Sequence, residues 1–406
     1  MYKKWKLYEP VPELQAFARK IGRDTTVAAL LWHRGIRTRE EAQLFLHPEQ
    51  LPFCDPFQMR DMDKAVARIM SALEQGEHIT VYGDYDVDGM TATSLLTRTL
   101  RKVGARVDFY IPDRMTEGYG LNRKALEAIA EHSDLLITVD CGIASVEDVA
   151  AVQGTGRLDI IITDHHLPGR ELPPACAVLN PHRADCPYPD KDLAGVGVAF
   201  KLCQALDAKR RGAEWDGQSV FLDDLELVAL GTVADIVPLR GENRRIVKQG
   251  MARMEATSLP GIAALVEVAG LKDKKITAGH LGFLLAPRLN AAGRIESART
   301  GVALLTAEDR QARARARHAQ HGAPRDRAQD LRDGRRGAFR ARHGGGEGHR
   351  RRGQGLESRR HRHRGIAARR QVLQADHRAL HPGGRCLPRL LPQHRGAQHV
   401  RGALCL

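Results

Sequence analysis

The stretch TDHHLPG (residues 163–169) sets Asp164, His165 and His166 directly behind the apolar run LDIII. Three polar, metal-competent side chains at the exposed end of a buried strand are costly unless something binds them. Three further stretches end in acids. HITVY runs into GDYDVDG, which places Asp84, Asp86 and Asp88 in a Gly-bounded turn; LLITV runs into DCG, giving Asp140; and the helical LELVALGTVAD delivers Asp235 at its end. Taken singly, each acid has a plainer reading, since Asp after a strand is often only a helix cap. The DxDxDG turn is not a calcium loop of the EF-hand kind, because its twelfth position is Leu95 rather than Glu. Together the acids would repel one another strongly, and divalent cations remove that repulsion. A carboxylate-rich set with one or two histidines suits Mn²⁺ or Mg²⁺, whereas structural zinc sites lean on cysteine. The chemistry such a set serves best is phosphoryl hydrolysis, in which two cations clamp the phosphate, acidify a water and stabilise the leaving oxygen. No GxSxG, Walker A or paired Cys/His nucleophile competes for the chemistry.

Elements must bring these residues together. Short apolar runs alternate with amphipathic stretches: strands are expected at 78–82, 106–111, 134–139, 158–163 and 175–179, with helices at 89–103, 123–131 and 145–152 between them. That alternation predicts an α/β fold with a parallel sheet flanked by helices. The carboxyl ends of such strands form the crevice where ligands bind. Before the sheet, Met62, Ala65, Val66, Ile69, Met70 and Leu73 share one face of a helix that Gly76 stops. After it, 196–209, 222–233 and most of 240–305 have helical spacing.

The 406 residues carry a net charge of +14, which suggests a nucleic-acid binder. The charge is not spread evenly. Residues 311–406 hold 24 Arg, no Lys and 6 Asp or Glu, which leaves residues 1–310 with 39 Lys+Arg against 43 Asp+Glu. The body is mildly acidic, so contact with nucleic acid outside the tail would have to come from local clusters such as Lys272, Lys274 and Lys275, from bound cations and from further domains. The tail has two readings: an Arg/Gly-rich nucleic-acid-binding segment, or the product of a shifted reading frame in a GC-rich gene. The absence of Lys favours the second. On either reading it buries too little apolar surface to order itself and is expected to be disordered. Seven cysteines without a CxxC pair point to a reduced, cytoplasmic protein. The N-terminus has no apolar signal core, and no run of eighteen apolar residues is present, so no membrane association is expected.

YGDYDVDG, TVDCG, TDHH and VADIVPL, in that order and at these spacings, resemble the DHH phosphoesterases. EGYGLN (117–122), DHHLPG, LAGVGVAFKL (193–202) and PRLNAAGRI (287–295) narrow the resemblance to the bacterial single-strand-specific exonuclease branch. The resemblance covers residues 50–308 and implies a 5′→3′ exonuclease of single-stranded DNA serving recombination and repair. It further implies two ions, Mn²⁺ or Mg²⁺, held by Asp84, Asp86, Asp88, Asp140, His165 and Asp235, with Asp140 bridging them. Asp164 would orient the imidazoles, and His166 would meet the scissile phosphate. Many family members carry His where this chain has Tyr82, so one ion would rely more on Asp84. Arg114 resembles the position that grips the 5′ phosphate. Arg288 and Asn290 could touch the strand's backbone or form a buried structural pair; Gly195 and Gly197 let a helix start pack tightly.

The resemblance divides the chain into a helical N-terminal segment (1–75), a DHH catalytic domain (76–238), a helical connecting segment (239–308) and the tail (309–406). A second catalytic lobe and a nucleic-acid-binding barrel should follow, and neither is recognisable in the tail, so the expectation is a catalytic half with an aberrant tail. Implied partners are 5′-phosphorylated single-stranded DNA, a single-strand-binding protein and a helicase. The rivals are a phosphodiesterase or pyrophosphatase acting on small nucleotides, and a truncated metal-binding scaffold without turnover.

Overall fold

The computed structural model describes residues 11–112, 120–217, 222, 224–292 and 298–308. Arg114 and the Arg-rich tail lie outside the described residues. Three short helices come first: α1 (Leu14–Ile21), α2 (Thr25–Trp32) and α3 (Arg39–Leu46). Each start or stop has a local cause. Asp24 caps α2 by accepting from the Thr26 and Val27 amides, Thr38 and Glu41 form a capping box on α3, and Gly22 ends α1 in the left-handed region. These helices close a small core of their own around Phe17, Ala28, Leu31 and Ala42.

Next come α4 (Met62–Gln75), β1 (His78–Gly83), α5 (Val87–Lys102), β2 (Arg106–Tyr110), α6 (Arg123–Ala130), β3 (Leu135–Val139), α7 (Val146–Gln153), β4 (Asp159–Thr163) and β5 (Ala177–Leu179). Among the described residues the strands form one parallel sheet in the order β2-β1-β3-β4-β5. Its central strands are apolar on both faces because helices cover both: α4 and α5 lie on one side, α6 and α7 on the other. Growth of the sheet reverses at β1, which pairs with β2 on one side and β3 on the other. A crevice opens at the carboxyl ends of strands at such a switch point. Asp84 and Asp140 follow those two strands.

Helices α8 (Gly195–Arg210), α9 (Leu225–Ala234), α10 (Gly241–Met254), α11 (Pro260–Val268), α12 (Ala278–His280), α13 (Ala286–Ala292) and α14 (Ala298–Leu305) extend the α5 face. Ile246, Ile262, Leu281, Leu289 and Val302 join the same core as Ile79 and Ile137. So does α4 through Met62, Ala65, Val66 and Ile69. The sequence groups α4 with the N-terminal segment, but its apolar face is buried against β5 and α8.

Helix α5 is polar by composition yet buried almost throughout. Its hydroxyls bond backward along the helix, Thr91 to Val87 O at 2.8 Å, Thr93 to Gly89 O at 2.7 Å and Ser94 to Met90 O at 2.7 Å. That satisfies these three hydroxyls, though not those of Thr97 and Thr99, while Leu95, Leu96 and Leu100 fill the core, each worth roughly 1.5–3 kcal/mol on burial. Among the described residues no helix is long and apolar enough to cross a membrane.

Candidate metal centre

The turn after β1 is closed by glycines that nothing larger could replace. A Cβ at Gly89 would meet the Asp84 backbone at 2.5 Å, and one at Gly83 would collide with the Thr93 hydroxyl. The chain therefore folds back at once into α5, with Asp86 as its N-cap accepting from Gly89 N at 3.0 Å. Asp84 and Asp88 are buried, and Asp86 is half-buried. The Asp88 carboxylate is gripped from across the crevice: Gly195 N donates to Oδ2 at 2.7 Å and Val196 N to Oδ1 at 2.9 Å. The N-terminus of α8 thus steadies this anion with its free amides and dipole.

Asp140 ends β3 in the left-handed region, with φ 60°. Only a few non-glycine residues adopt it, Asp among the more frequent, and Gly142 follows with φ 106°. The Asp140 amide donates to Thr163 O at 3.0 Å, which ties the turn after β3 to the end of β4. There Asp164 gathers the loops. Its Oδ1 accepts from His165 N at 2.7 Å, His166 N at 3.0 Å and His166 Nδ1 at 2.8 Å, while Oδ2 accepts from Ile143 N at 2.9 Å. These donors, the His166 ring and backbone amides, hold the Asp164 carboxyl below its usual range against the opposing effect of burial. Asp164 orients the half-exposed His166 ring, not both rings as the sequence suggests.

The His165 ring turns the other way. Its Nε2 lies 3.2 Å from Asp140 Oδ1, 3.6 Å from Asp235 Oδ2 and 4.0 Å from Asp88 Oδ2. Burial, with His166⁺ nearby, pushes its pKa down to about 4, although the Leu193 backbone holds the ring by a hydrogen bond that opposes the shift. Because Nε2 makes no hydrogen bond, Leu193 takes the other ring nitrogen. Asp140 Oδ1 is likewise buried without a hydrogen bond. With Asp140 ionised, a neutral imidazole lone pair and a carboxylate oxygen face each other at 3.2 Å, an arrangement that calls for a proton or a metal cation between them, and the several acids around it favour the cation.

The surrounding carboxyls respond in the same sense. Desolvation pushes Asp84 up to about 7 and Asp235 up to about 6, in both cases with Asp86 adding repulsion. Asp88 and Asp140 are raised well above the ordinary range, first by burial and then by their acidic neighbours. Three overlapping sets bring donor atoms within 4.8 Å of one another: Asp84, Asp86 and Asp140; Asp88, His165 and Asp235; and Asp140, His165 and His166. Asp140 and His165 each belong to two sets, so two adjacent divalent cations fit the donors present. Oxygen donors outnumber nitrogen, and no thiolate joins them, which suits Mn²⁺ or Mg²⁺.

The remaining sequence candidates lie elsewhere. Tyr82 is buried beneath the sheet's other face, stacked on Tyr110 at 5.2 Å with its hydroxyl donating to Gly120 O. Arg288 donates to Leu284 O at 2.7 Å, whereas Asn290 is exposed, so the two are not a buried mutual pair. Sequence reasoning missed what Gly195 packs on: an added Cβ there would fall 2.4 Å from Asp140 Oδ1. It missed the Leu193 backbone as well. The signal was the small-residue run LAGVG, but nothing local says what lies against it.

The described geometry has close counterparts. The model of the DHH family, N-terminal domain, matches residues 78–232. The single-stranded-DNA-specific exonuclease RecJ of Bacillus subtilis is 45% identical over 310 residues, covering 75% of this chain and 38% of that protein. RecJ of Escherichia coli is 43% identical over 284 residues, covering 68% of this chain and 48% of that protein. The chain thus spans less than half the length of these relatives. Among solved structures, Thermus thermophilus RecJ in complex with Mn²⁺ superposes with a TM-score of 0.64 at 34% identity, over 77% of this chain and 44% of that one. A manganese-bound exonuclease RecJ gives 0.59 at 38% identity, over 65% of each chain. Residues 78–232 thus match the DHH family, N-terminal domain, and the chain is similar to RecJ proteins over about three quarters of its length.

Proposed function

We propose that this chain carries the catalytic site of a divalent-cation-dependent exonuclease that removes nucleotides from the 5′ end of single-stranded DNA. The observation that carries the reading is the unbonded pair Asp140 Oδ1 and His165 Nε2, 3.2 Å apart inside a ring of carboxyls that burial and mutual repulsion make costly to ionise without a cation. Relatives named as single-stranded-DNA-specific exonucleases, and one solved with Mn²⁺, support the substrate and the metal.

Asp84, Asp86 and Asp140 would hold one ion; Asp88, His165 and Asp235 would hold the other, with Asp140 between them. When bound, the ions supply charge neutralisation at the phosphate and a more acidic water. The chain's own residues do the rest. The α8 amides keep the Asp88 carboxylate in place, Gly195 leaves room for Asp140, and the Leu193 backbone sets which nitrogen of His165 faces inward. Asp164 holds His166 by Nδ1 and raises its pKa, the hydrogen bond being the largest cause, so the half-exposed ring is poised to carry a proton and to meet a phosphate oxygen. Arg114 would grip the 5′ phosphate, and Arg288 and Asn290 would contact the strand. We further place the chain in the cytoplasm, in keeping with the free cysteines among the described residues, working with a single-strand-binding protein and a helicase.

The test is nucleotide release from a 5′-phosphorylated, 3′-labelled single-stranded oligonucleotide in Mn²⁺, beside an EDTA control and Asp140→Ala. Stepwise shortening from the 5′ end that both controls abolish is the expected result. Shortening from the 3′ end, or cutting that persists in EDTA, overturns the reading. Efficient cleavage of dinucleotides with none of long strands would replace it with a small-substrate phosphodiesterase.

A further inference from the structure

Residues 1–310 are mildly acidic, yet a strand of nucleic acid must find positive charge near the metal centre. A cavity formed by described residues offers it. A pocket of about 270 Å³ between the α2–α3 connection and the start of α10 is lined by Arg34, Arg240 and Arg244, with Glu41 and Phe45.

None of the three guanidiniums has a carboxylate partner among the described residues. Arg34 donates to Leu30 O at 2.9 Å, and Arg244 donates to Phe45 O at 2.6 Å while its guanidinium stacks 3.6 Å from the Phe45 ring centroid. Arg240 is exposed and makes no ion pair. Glu41, the acid in the lining, is committed to the backbone: its Oε2 accepts from Arg37 N at 2.7 Å and Thr38 N at 3.0 Å as part of the α3 capping box. Behind Gly241, Asp190 Oδ2 accepts from Glu242 N at 2.9 Å. Three cations therefore share one concavity with a single occupied acid, and Arg244 feels burial first and Arg34 second as a pressure against its charge. Such a surplus is stabilised by an anion, and a guanidinium fork suits phosphate oxygens.

Position supplies the second observation. Arg240 follows the candidate ligand Asp235 by five residues, so the backbone cannot separate them by more than about 18 Å. That is the reach of a few nucleotides. Ile236, the first residue on the way, is 88% exposed, and Pro238 is exposed too, so the path is open to solvent.

We propose that the Arg34–Arg240–Arg244 pocket binds a backbone phosphate of the same strand whose terminal nucleotide lies in the metal centre. It is a second anchoring point, without base readout, that draws substrate across residues 236–240. The inference rests on the nucleolytic reading above.

The experiment compares the parent chain with an Arg34→Gln, Arg240→Gln double variant. Both side chains are exposed and without a carboxylate partner, so equal melting temperatures are expected and show an intact fold. Fluorescence anisotropy in EDTA measures affinity for single strands of increasing length across a salt series; the Arg-rich tail is common to both chains and cancels in the difference. The expected loss is about tenfold for a long strand at low salt, shrinking as the strand shortens, with the salt slope falling by roughly 0.7 for each phosphate the variant no longer neutralises. Equal affinities and slopes in parent and variant overturn the proposal. So does a loss of the same size at every length, or tight capture of inorganic phosphate that does not compete with the strand. If the variant loses the strand as expected but the parent cuts nothing in Mn²⁺, the pocket stands and the exonuclease reading falls.

Discussion

Replacing Gly195 by Ala tests the centre through a residue that ligates nothing. The added Cβ would sit 2.4 Å from Asp140 Oδ1, 2.5 Å from its Cβ and 2.6 Å from its Cγ. Ordinary contact begins near ~3.5 Å, so something must move by about 1 Å. Helix α8 cannot easily yield, because Val198, Phe200 and Leu202 are fully buried. The Asp140 backbone is held too, by its amide bond to Thr163 O. The carboxylate is the softest element and should swing away from His165. A displacement of that size costs roughly 100-fold in turnover and, as overpacking, about 1–3 kcal/mol of stability. Titration with Mn²⁺ followed by electron paramagnetic resonance, with a melting curve, reads both effects. Gly197→Ala is the milder comparison: its Cβ would meet the Leu193 side chain at 3.3 Å, an overlap of a few tenths of an ångström. If Gly195→Ala binds Mn²⁺ and turns over like the parent, Asp140 does not need the position the structure gives it, and the reasoning fails.

Raised carboxyls make metal binding a proton exchange. With Asp84 at about 7 and Asp235 at about 6, both above their ordinary value, Mn²⁺ affinity measured by calorimetry should rise as pH climbs through those values, and binding should release protons. The same raised values mean that the contribution of Asp84 and Asp235 to metal-free stability is full below the unfolded carboxyl range and is lost as pH climbs through about 6 and 7; added Mn²⁺ should abolish that loss in denaturant titrations of the parent across pH 5–8. Asp164→Ala frees the His166 ring and should reduce turnover by about 10–100-fold with a smaller effect on Mn²⁺ affinity, separable by pairing a rate assay with a metal titration. Lys201 is fully buried 2.6 Å from Glu242, so Lys201→Ala strands a buried carboxylate and should cost about 3–5 kcal/mol in urea unfolding, while Mn²⁺ stoichiometry stays the same.

The sheet is legible because parallel strands covered on both faces are written as unbroken apolar runs. HITVY, LLITV and DIIIT could be little else between amphipathic stretches, and each acid sits at the end its strand needs. The acids themselves are legible because so many at successive strand ends make sense only around a cation. What is not legible depends on contacts distant in sequence. Gly195 N reaches Asp88 across 107 residues, and nothing in LAGVG names that partner. The division of labour between the histidines is hidden for the same reason. His165 and His166 are neighbours in sequence, but Asp164 claims one ring while Leu193 turns the other inward. Periodicity shows that one face of α4 is apolar, not what covers it, so the sequence alone leaves that helix with its N-terminal neighbours.

In the proposed centre Asp140 and His165 hold two cations between them. Electron paramagnetic resonance at neutral pH counts the Mn²⁺ bound by the parent chain and by Asp140→Asn. Two ions in the parent and loss of both in the variant are expected, because Asp140 would serve each. A parent that binds no Mn²⁺, or a variant that keeps both ions, would contradict that arrangement.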